Sequence, residues 1–186
     1  MSVSAGSLPL SVRRRLAWLG HVTTFLALLG ALLPGDPTAA AEVVEITGQA
    51  RVIDGDTVEV AGERIRLFGI DAPESKQTCE VIGSDWACGR AAKAVLTDAL
   101  VGREVTCKGK SHDRYGRLIA KCYLDGEDIN ARMVREGWAL AYRKYSSEYV
   151  PQEMQARAAS AGMWRGQFAD PWDWRKQKRE QLHVEN

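Results

Sequence analysis

Two short segments of the sequence concentrate residues that can act on a charged substrate. Residues 53–57 read Ile-Asp-Gly-Asp-Thr, and residues 66–74 read Arg-Leu-Phe-Gly-Ile-Asp-Ala-Pro-Glu. Asp-Gly between apolar residues is typical of a hairpin turn, but a turn does not need the further Asp, Arg and Glu. Carboxylates on adjacent turns suit a hard cation such as calcium, and an arginine fork suits a phosphate group. The pattern therefore predicts chemistry on a phosphodiester.

The first 41 residues have the features of a secretory signal peptide. Three arginines at 13–15 precede a mostly apolar run over residues 16–33, and three alanines at 39–41 provide a cleavage site. The alternative is an uncleaved membrane anchor, because the apolar run is close to the length that spans a bilayer. We expect an exported protein that is periplasmic or secreted, or one anchored in the membrane and facing the periplasm.

Charge excludes a general polyanion binder. Without residues 1–41 the 25 Lys and Arg lose three and the 24 Asp and Glu lose one, so 22 basic residues stand against 23 acidic ones, a net charge of −1. A protein with this balance does not attract nucleic acid through its overall field. Any grip on a polyanion must come from a local cluster and from a metal ion.

The four cysteines, an even number, indicate disulfides in an exported protein. Three pairings are possible. Cys79 and Cys88 are close in sequence, and Cys107 and Cys122 lie at mirrored places about a turn at residues 114–115, so the pairs Cys79–Cys88 and Cys107–Cys122 are favoured. A zinc site is the alternative, although the sequence contains no Cys-x-x-Cys pair.

The hydrophobic pattern predicts an α+β fold with a five-stranded OB-type β-barrel and about three appended α-helices. The predicted strands cover residues 43–53, 57–60, 64–70, 103–108 and 117–124. The predicted helices cover residues 88–100, 129–136 and 147–161. Ser147 is the expected cap of the last helix. Four aromatic residues are expected to pack the C-terminus against the domain: Trp164, Phe168, Trp172 and Trp174. Residues 175–179 are predicted to begin a basic, frayed tail.

Residues 43–165 resemble the staphylococcal nuclease (thermonuclease) family. The resemblance is carried by five features in order: residues 53–57, Arg66, Asp71-Ala-Pro-Glu74, Asp113-Arg-Tyr-Gly-Arg117 and residues 130–137. Each is weak alone, but their order and separation are specific. The resemblance implies a nuclease domain over residues 43–165, followed by an aromatic and basic extension over residues 166–186.

The resemblance implies a calcium cofactor. Asp56 and Asp71 match the carboxylates that bind Ca²⁺, and Ala72 matches a residue that contributes its backbone carbonyl. Asp54 and Thr57 match positions that do not bind the ion directly but act through a water molecule or by supporting the ligands. The catalytic residues implied are Glu74 as the carboxylate beside the attacking water, with Arg66 and Arg117 as the arginines that hold the scissile phosphate. The alternative for Arg66 is a structural salt bridge to Asp71 or Glu74.

Substrate contacts implied by the resemblance are Arg114, Tyr115 and Tyr142. The alternative for the charged residues 113–117 is a plain solvated hairpin end. Tyr142 and Tyr145 could pack inside the protein rather than stack on bases. His112 and His183 are expected to be bystanders.

The function implied is a calcium-dependent phosphodiesterase, an endonuclease that hydrolyses DNA and RNA at the 5′ P–O bond and leaves 3′-phosphates. A small barrel face reads backbone and stacked bases, so single-stranded or frayed substrate is expected. We expect a monomer without a stable protein partner. The alternative is a non-catalytic OB-fold module that binds nucleic acid or a protein. Because Arg66, Glu74 and Arg117 are all present, the enzyme is favoured.

Overall fold

The computed structural model describes residues 42–184. Residues 1–41, predicted to be a signal peptide, lie outside the described residues. The described elements comprise ten strands and four α-helices. The strands are β1 (Val44–Asp54), β2 (Thr57–Val60), β3 (Glu63–Leu67), β4 (Ile70–Asp71), β5 (Cys79–Val81), β6 (Ser84–Trp86), β7 (Glu104–His112), β8 (Leu118–Leu124), β9 (Glu127–Asp128) and β10 (Leu140–Ala141). The helices are α1 (Cys88–Leu100), α2 (Ile129–Arg135), α3 (Val150–Ala158) and α4 (Pro171–Val184), with a 3₁₀ turn at Gly162–Arg165.

Five strands close into a barrel. Their order is β3-β2-β1-β7-β8, all antiparallel neighbours, and a parallel pairing of β3 with β8 completes the ring. Closure removes the unpaired edges of the sheet. It also brings Arg66 on β3 level with Ile119 on β8. The predicted five-stranded α+β barrel is confirmed.

The barrel interior forms the main hydrophobic core. Along β8 every second residue, from Leu118 to Leu124, is buried, as a half-exposed strand requires. The core continues onto one side of α1, where Ala92, Leu96 and Leu100 are buried. The helical period of these three residues predicted this helix, and its observed bounds equal the predicted ones.

The C-terminal part departs from the predictions at two points. The third helix begins at Val150, and no side chain caps it, so the predicted Ser147 cap is wrong. Tyr149 precedes the helix instead and is buried, and its hydroxyl donates to Asp128 Oδ2 at 3.0 Å. The predicted frayed tail at residues 175–179 is also wrong, because these residues lie within α4.

Both predicted disulfides are present. Cys107 and Cys122 are register partners on β7 and β8, and the bond joins the two strands inside the barrel. Cys79–Cys88 ties β5 to the first residue of α1. Disulfides of this kind form in oxidising compartments. Within residues 42–184, none of the helices combines the length and the apolar character needed to cross a bilayer.

The segment between β4 and β5 is held by buried polar contacts. Gln77 has no exposed surface, and its side chain accepts the Glu74 N–H at 3.3 Å and donates to the Ala169 carbonyl at 2.7 Å. Gly89 in α1 lies against the same segment so closely that a Cβ would stand 1.7 Å from the Glu74 carbonyl oxygen. The Gln77 side chain and helix α1 therefore both hold the main chain at Glu74 in place.

Replacing Gly89 with alanine should destabilise the protein by about 1–3 kcal/mol, because the new methyl group forces α1 or the Glu74 main chain to move. Urea denaturation measures the change in the free energy of unfolding. Gly48→Ala is the matched control, since its Cβ would meet only ordinary contacts at 3.5 Å. Equal stability of the two variants would contradict the close approach at Gly89.

The turn between β7 and β8 is organised by Asp113. Its carboxylate accepts the backbone N–H groups of Tyr115 and Arg117 at 2.8 and 3.0 Å and the Arg117 Nε at 2.7 Å. Burial alone would raise the pKa of Asp113, but the hydrogen bonds from Arg117 and Tyr115 outweigh it and hold the pKa below the ordinary value. The ionised form is therefore favoured by folding.

Asp113→Asn should lower the free energy of unfolding by about 1–2 kcal/mol at neutral pH, because the charged hydrogen bonds to Arg117 are lost. Because the pKa of Asp113 is lower in the folded than in the unfolded state, its contribution is present above about pH 4 and disappears as the pH falls further. Chemical denaturation of both proteins between pH 7 and about pH 3 tests this. A difference that stays constant across the range would refute it.

Candidate active site

Two carboxylates and an arginine form the centre of the site. Arg66 Nη1 lies 2.9 Å from Asp56 Oδ2, and Arg66 Nη2 donates to Asp71 Oδ1 at 2.9 Å. The Ala72 N–H also donates to Asp56 Oδ2 at 2.9 Å. The two segments singled out in the sequence thus meet through their side chains. The alternative prediction paired Arg66 with Asp71 or Glu74. In the structure Arg66 pairs with Asp71 and with Asp56, and not with Glu74.

The turn that carries Asp56 is fixed by its own residues. Asp54 Oδ1 accepts the Gly55 N–H at 3.0 Å and the Ser75 hydroxyl at 2.8 Å, so it joins the two segments from behind. Gly55 packs so tightly that a Cβ would lie 2.8 Å from the Ala72 Cβ. The Asp-Gly pair therefore serves close packing against Ala72 as well as the turn.

Asp71 is the most deeply buried charged group of the site. Its side chain has no exposed surface. Burial is the main cause that raises the pKa of Asp71 to about 6, and the neighbouring Asp56 carboxylate raises it as well, while the Arg175 and Arg66 guanidinium groups lower it. Two carboxylates held this close repel each other, which makes the position attractive to positive charge.

Arg117 lies beside the same corner. Its Nη1 donates to the Thr57 hydroxyl at 3.2 Å, and Thr57 in turn donates to Asp56 Oδ1 at 3.1 Å. The other side of the guanidinium is held by Asp113, with 2.6 Å between Arg117 Nη2 and Asp113 Oδ2. The parallel pairing of β3 with β8 accounts for this meeting, because Arg117 immediately precedes β8.

Glu74 is half-buried and pairs with Arg175, which is not among the predicted site residues. Arg175 Nη1 on α4 donates to Glu74 Oε1 at 2.8 Å. The same guanidinium donates to both oxygens of Asp71, at 3.1 and 2.6 Å. Burial by itself lowers the pKa of Arg175, but the hydrogen bonds to Asp71 and Glu74 outweigh it and raise the pKa overall.

The predicted substrate residues occupy two places. Arg114 donates to the Tyr115 hydroxyl at 2.6 Å, and the Arg117 guanidinium lies 5.4 Å from the centre of the largely exposed Tyr115 ring. Tyr142 follows β10, which pairs with β4, and its N–H donates to the Gly69 carbonyl at 2.9 Å. Its ring stacks on Trp172 of α4, with 5.4 Å between ring centres and an interplanar angle of 1°.

The donor set suits a hard cation. Asp56, Asp71 and the Ala72 carbonyl offer oxygen atoms from adjacent turns, which is the ligand chemistry of calcium. Within residues 42–184 no three His, Cys, Asp or Glu side chains form a closed metal cluster. The guanidinium groups of Arg66 and Arg175 around Asp71 show that the position accepts positive charge.

Three residues that support the site were missed in the sequence. Gln77 holds the main chain of Glu74. Glu153, fully buried, accepts the Ala141 N–H at 2.8 Å and pairs with Arg143 on the other side of Tyr142. Arg175 contacts the carboxylates. Only the last had a local signal, since Asp170 and Pro171 ahead of a run of Lys, Arg, Gln and Glu are typical of a helix start.

Comparison with known proteins identifies the family of this chain. Residues 64–166 match the family model described as staphylococcal nuclease homologue. The chain is 39% identical over 148 residues to the succinoglycan biosynthesis protein ExoI of Rhizobium meliloti (strain 1021), covering 77% of this chain and 76% of that protein. It is 38% identical over 136 residues to an uncharacterized endonuclease of Escherichia coli O157:H7, covering 69% and 83% of the two chains.

A third relative is a micrococcal nuclease of Shigella flexneri, 36% identical over 144 residues that make up 68% of this chain and 78% of that protein. The match to the family model spans more than half of the chain and includes Arg66, Asp71, Glu74 and Arg117. The prediction of an enzyme, rather than a non-catalytic module, is confirmed. The chain belongs to the staphylococcal nuclease homologue family and is a nuclease, a hydrolase that acts on nucleic acid.

Proposed function

We propose that this nuclease is a calcium-dependent endonuclease that cleaves DNA and RNA at the 5′ P–O bond. The observation that carries the proposal is that the Arg66 guanidinium is shared between Asp56 and Asp71. Arg117 is connected to the same corner through the Thr57 hydroxyl, to which it donates. Two arginines and two carboxylates on one corner match the charges of a phosphodiester and a cation. The nuclease domain covers residues 43–165, and residues 166–186 form an extension.

Asp56, Asp71 and the Ala72 carbonyl are the groups that would hold the cation, with Thr57 and Asp54 supporting the turn behind them. When bound, calcium neutralises charge on the phosphate and acidifies a nearby water. Asp56 is held in place by the Ala72 N–H and the Thr57 hydroxyl, so its carboxylate needs little reorganisation.

The two arginines bind the scissile phosphate. Each guanidinium has five N–H donors, and the contacts to Asp56, Asp71, Thr57 and Asp113 leave some of them for phosphate oxygens. Negative charge on those oxygens grows as the fifth bond to phosphorus forms. Donors fixed in advance by buried partners stabilise that charge more than flexible donors do.

Glu74 accepts or orients the proton of the attacking water. The water oxygen forms a bond to phosphorus, its proton passes to Glu74, and the bond from phosphorus to the 5′-oxygen breaks. The departing oxygen takes a proton from solvent and becomes a 5′-hydroxyl, while the phosphate stays on the 3′-side. Gln77 keeps the Glu74 main chain in place during this exchange.

The substrate range follows from which groups face the chain of nucleotides. Arginines contact phosphate, which DNA and RNA share, and Tyr115 and Tyr142 offer rings on which any base can stack. Such contacts need unpaired bases, so single-stranded or frayed substrate is cleaved fastest. The two disulfides support an exported enzyme, periplasmic or secreted. We propose that this enzyme acts as a monomer.

Purified protein should degrade plasmid DNA and RNA in millimolar calcium and stop when a chelator is added, because the charge that neutralises the phosphate is removed. The new ends should accept label from polynucleotide kinase without phosphatase treatment, since they carry 5′-hydroxyls. Cleavage that persists in chelator would contradict calcium dependence, and ends that need phosphatase first would contradict the 5′ P–O bond as the one broken.

Arg66→Ala and Arg117→Ala should each lower kcat on the order of a hundredfold or more, because each removes a fixed donor to the transition state. Glu74→Ala should be at least as severe. Arg64→Ala is the matched control: it lies two residues before Arg66 on β3 and is exposed. Circular dichroism verifies folding. A folded Arg66 variant with the activity of the control would refute the assignment.

A further inference from the structure

Helix α4, in the extension, contacts the residues of the candidate active site. It follows the nuclease fold at Pro171 and carries Trp172 and Arg175 three residues apart, so both side chains lie on one face of the helix. Trp172 stacks on Tyr142, and Arg175 binds Asp71 and Glu74. The helix therefore contacts a residue proposed to hold the cation, the proposed catalytic carboxylate and a residue proposed to bind bases.

The Arg175 contact uses both oxygens of the proposed cation ligand. Asp71 Oδ2 accepts Arg175 Nη2 at 2.6 Å, and Asp71 Oδ1 accepts Arg175 Nη1 at 3.1 Å beside Arg66 Nη2 at 2.9 Å. A calcium ion needs direct bonds from such oxygens. Arg66 donates to Oδ1, whereas Arg175 occupies Oδ2 as well, so a cation cannot bond directly to Oδ2 until Arg175 moves away.

We propose that Arg175 competes with the divalent cation for Asp71, so that α4 acts as an internal inhibitor and binding of the cation displaces it. The inference rests on the proposed role of Asp71 as a cation ligand. It assigns Arg175 as the residue that sets the cation concentration at which the nuclease becomes active. Displacement of α4 also uncovers the ring of Tyr142 for a base.

The packing of α4 is consistent with displacement. Of its residues only Pro171 is buried, while Trp172, Trp174 and Arg175 are half-buried and the rest are exposed. Trp172 packs against a small cluster that includes Met163 and Leu140. Elements with few buried apolar contacts open at low cost in free energy. Two side chains, Trp172 and Arg175, thus supply the contacts between this helix and the site.

The competition has a quantitative consequence. The apparent dissociation constant of the cation equals the intrinsic one divided by the fraction of molecules in which Arg175 is away from Asp71. A set of charged hydrogen bonds of this kind shifts such an equilibrium by about tenfold to a hundredfold. Removing the guanidinium should therefore tighten cation binding by that factor.

Isothermal titration of the oxidised protein with calcium chloride alone, without substrate, tests the inference. Arg175→Gln should bind calcium about tenfold to a hundredfold more tightly than wild type. Arg179→Gln is the matched control, because it removes the same charge from an exposed position one turn further along α4, and its affinity should stay within about twofold of wild type.

Trp172→Ala provides a second variant that leaves every carboxylate contact in place. It weakens the packing of α4 against Tyr142 and against the cluster that includes Met163 and Leu140, so calcium should again bind more tightly than in wild type. Hydrogen exchange of wild type should show α4 amides losing protection when calcium saturates the site. Unchanged or weaker calcium binding in either variant overturns the proposal, as does unchanged protection of α4.

The outcome is separable from that of the proposed function. Tighter calcium binding in both variants together with no cleavage by wild type would leave the competition standing and remove the calcium-dependent endonuclease. Calcium-dependent cleavage by wild type with equal affinity in Arg175→Gln would do the reverse. Cleavage by wild type in chelator that Arg175→Gln abolishes would mean that the guanidinium replaces the cation, which overturns the competition.

Discussion

Removal of the Asp71 carboxylate from water is the constraint around which this molecule is arranged. An ionised carboxylate without solvent must be compensated by opposite charge. Arg66 from the barrel and Arg175 from the last helix supply that charge from two directions. The negative charge of the neighbouring Asp56 increases the need for compensating positive charge at Asp71. In the proposed mechanism the same two carboxylates, Asp56 and Asp71, would hold the cation that neutralises the phosphate of the substrate.

The parts of the fold that the sequence predicted well are those decided by local patterns. The bounds of α1 followed from a helical repeat of apolar residues that ended at glycine. The disulfide of Cys107 with Cys122 followed from their mirrored places about one turn. The motif residues Asp56, Arg66 and Arg117 came together because β3, which carries Arg66, pairs with β2 beside Asp56 and with β8 beside Arg117.

The parts that were missed depend on contacts between distant residues. Nothing near Gln77 in the sequence indicates that its amide spans from Glu74 to Ala169. The burial of Glu153 depends on Arg143 and Arg157, which shield its charge. In α4 the helix start at Pro171 was visible, but polar residues 175–179 have no apolar stripe. Their placement depends on long-range contacts that the local sequence does not indicate: Arg175 with Asp71 and Glu74, and Trp172 with Tyr142.

The parallel pairing of β3 with β8 affects the stage of folding at which the enzyme becomes active. Strands 51 residues apart, as measured from Leu67 to Leu118, meet only after the intervening chain has found its place, and such long-range pairings form late. Arg66 and Arg117 are therefore far apart in a chain that is newly made or only partly folded. Nuclease activity therefore requires the completed topology, so a chain that has not finished folding does not cleave the nucleic acid around it.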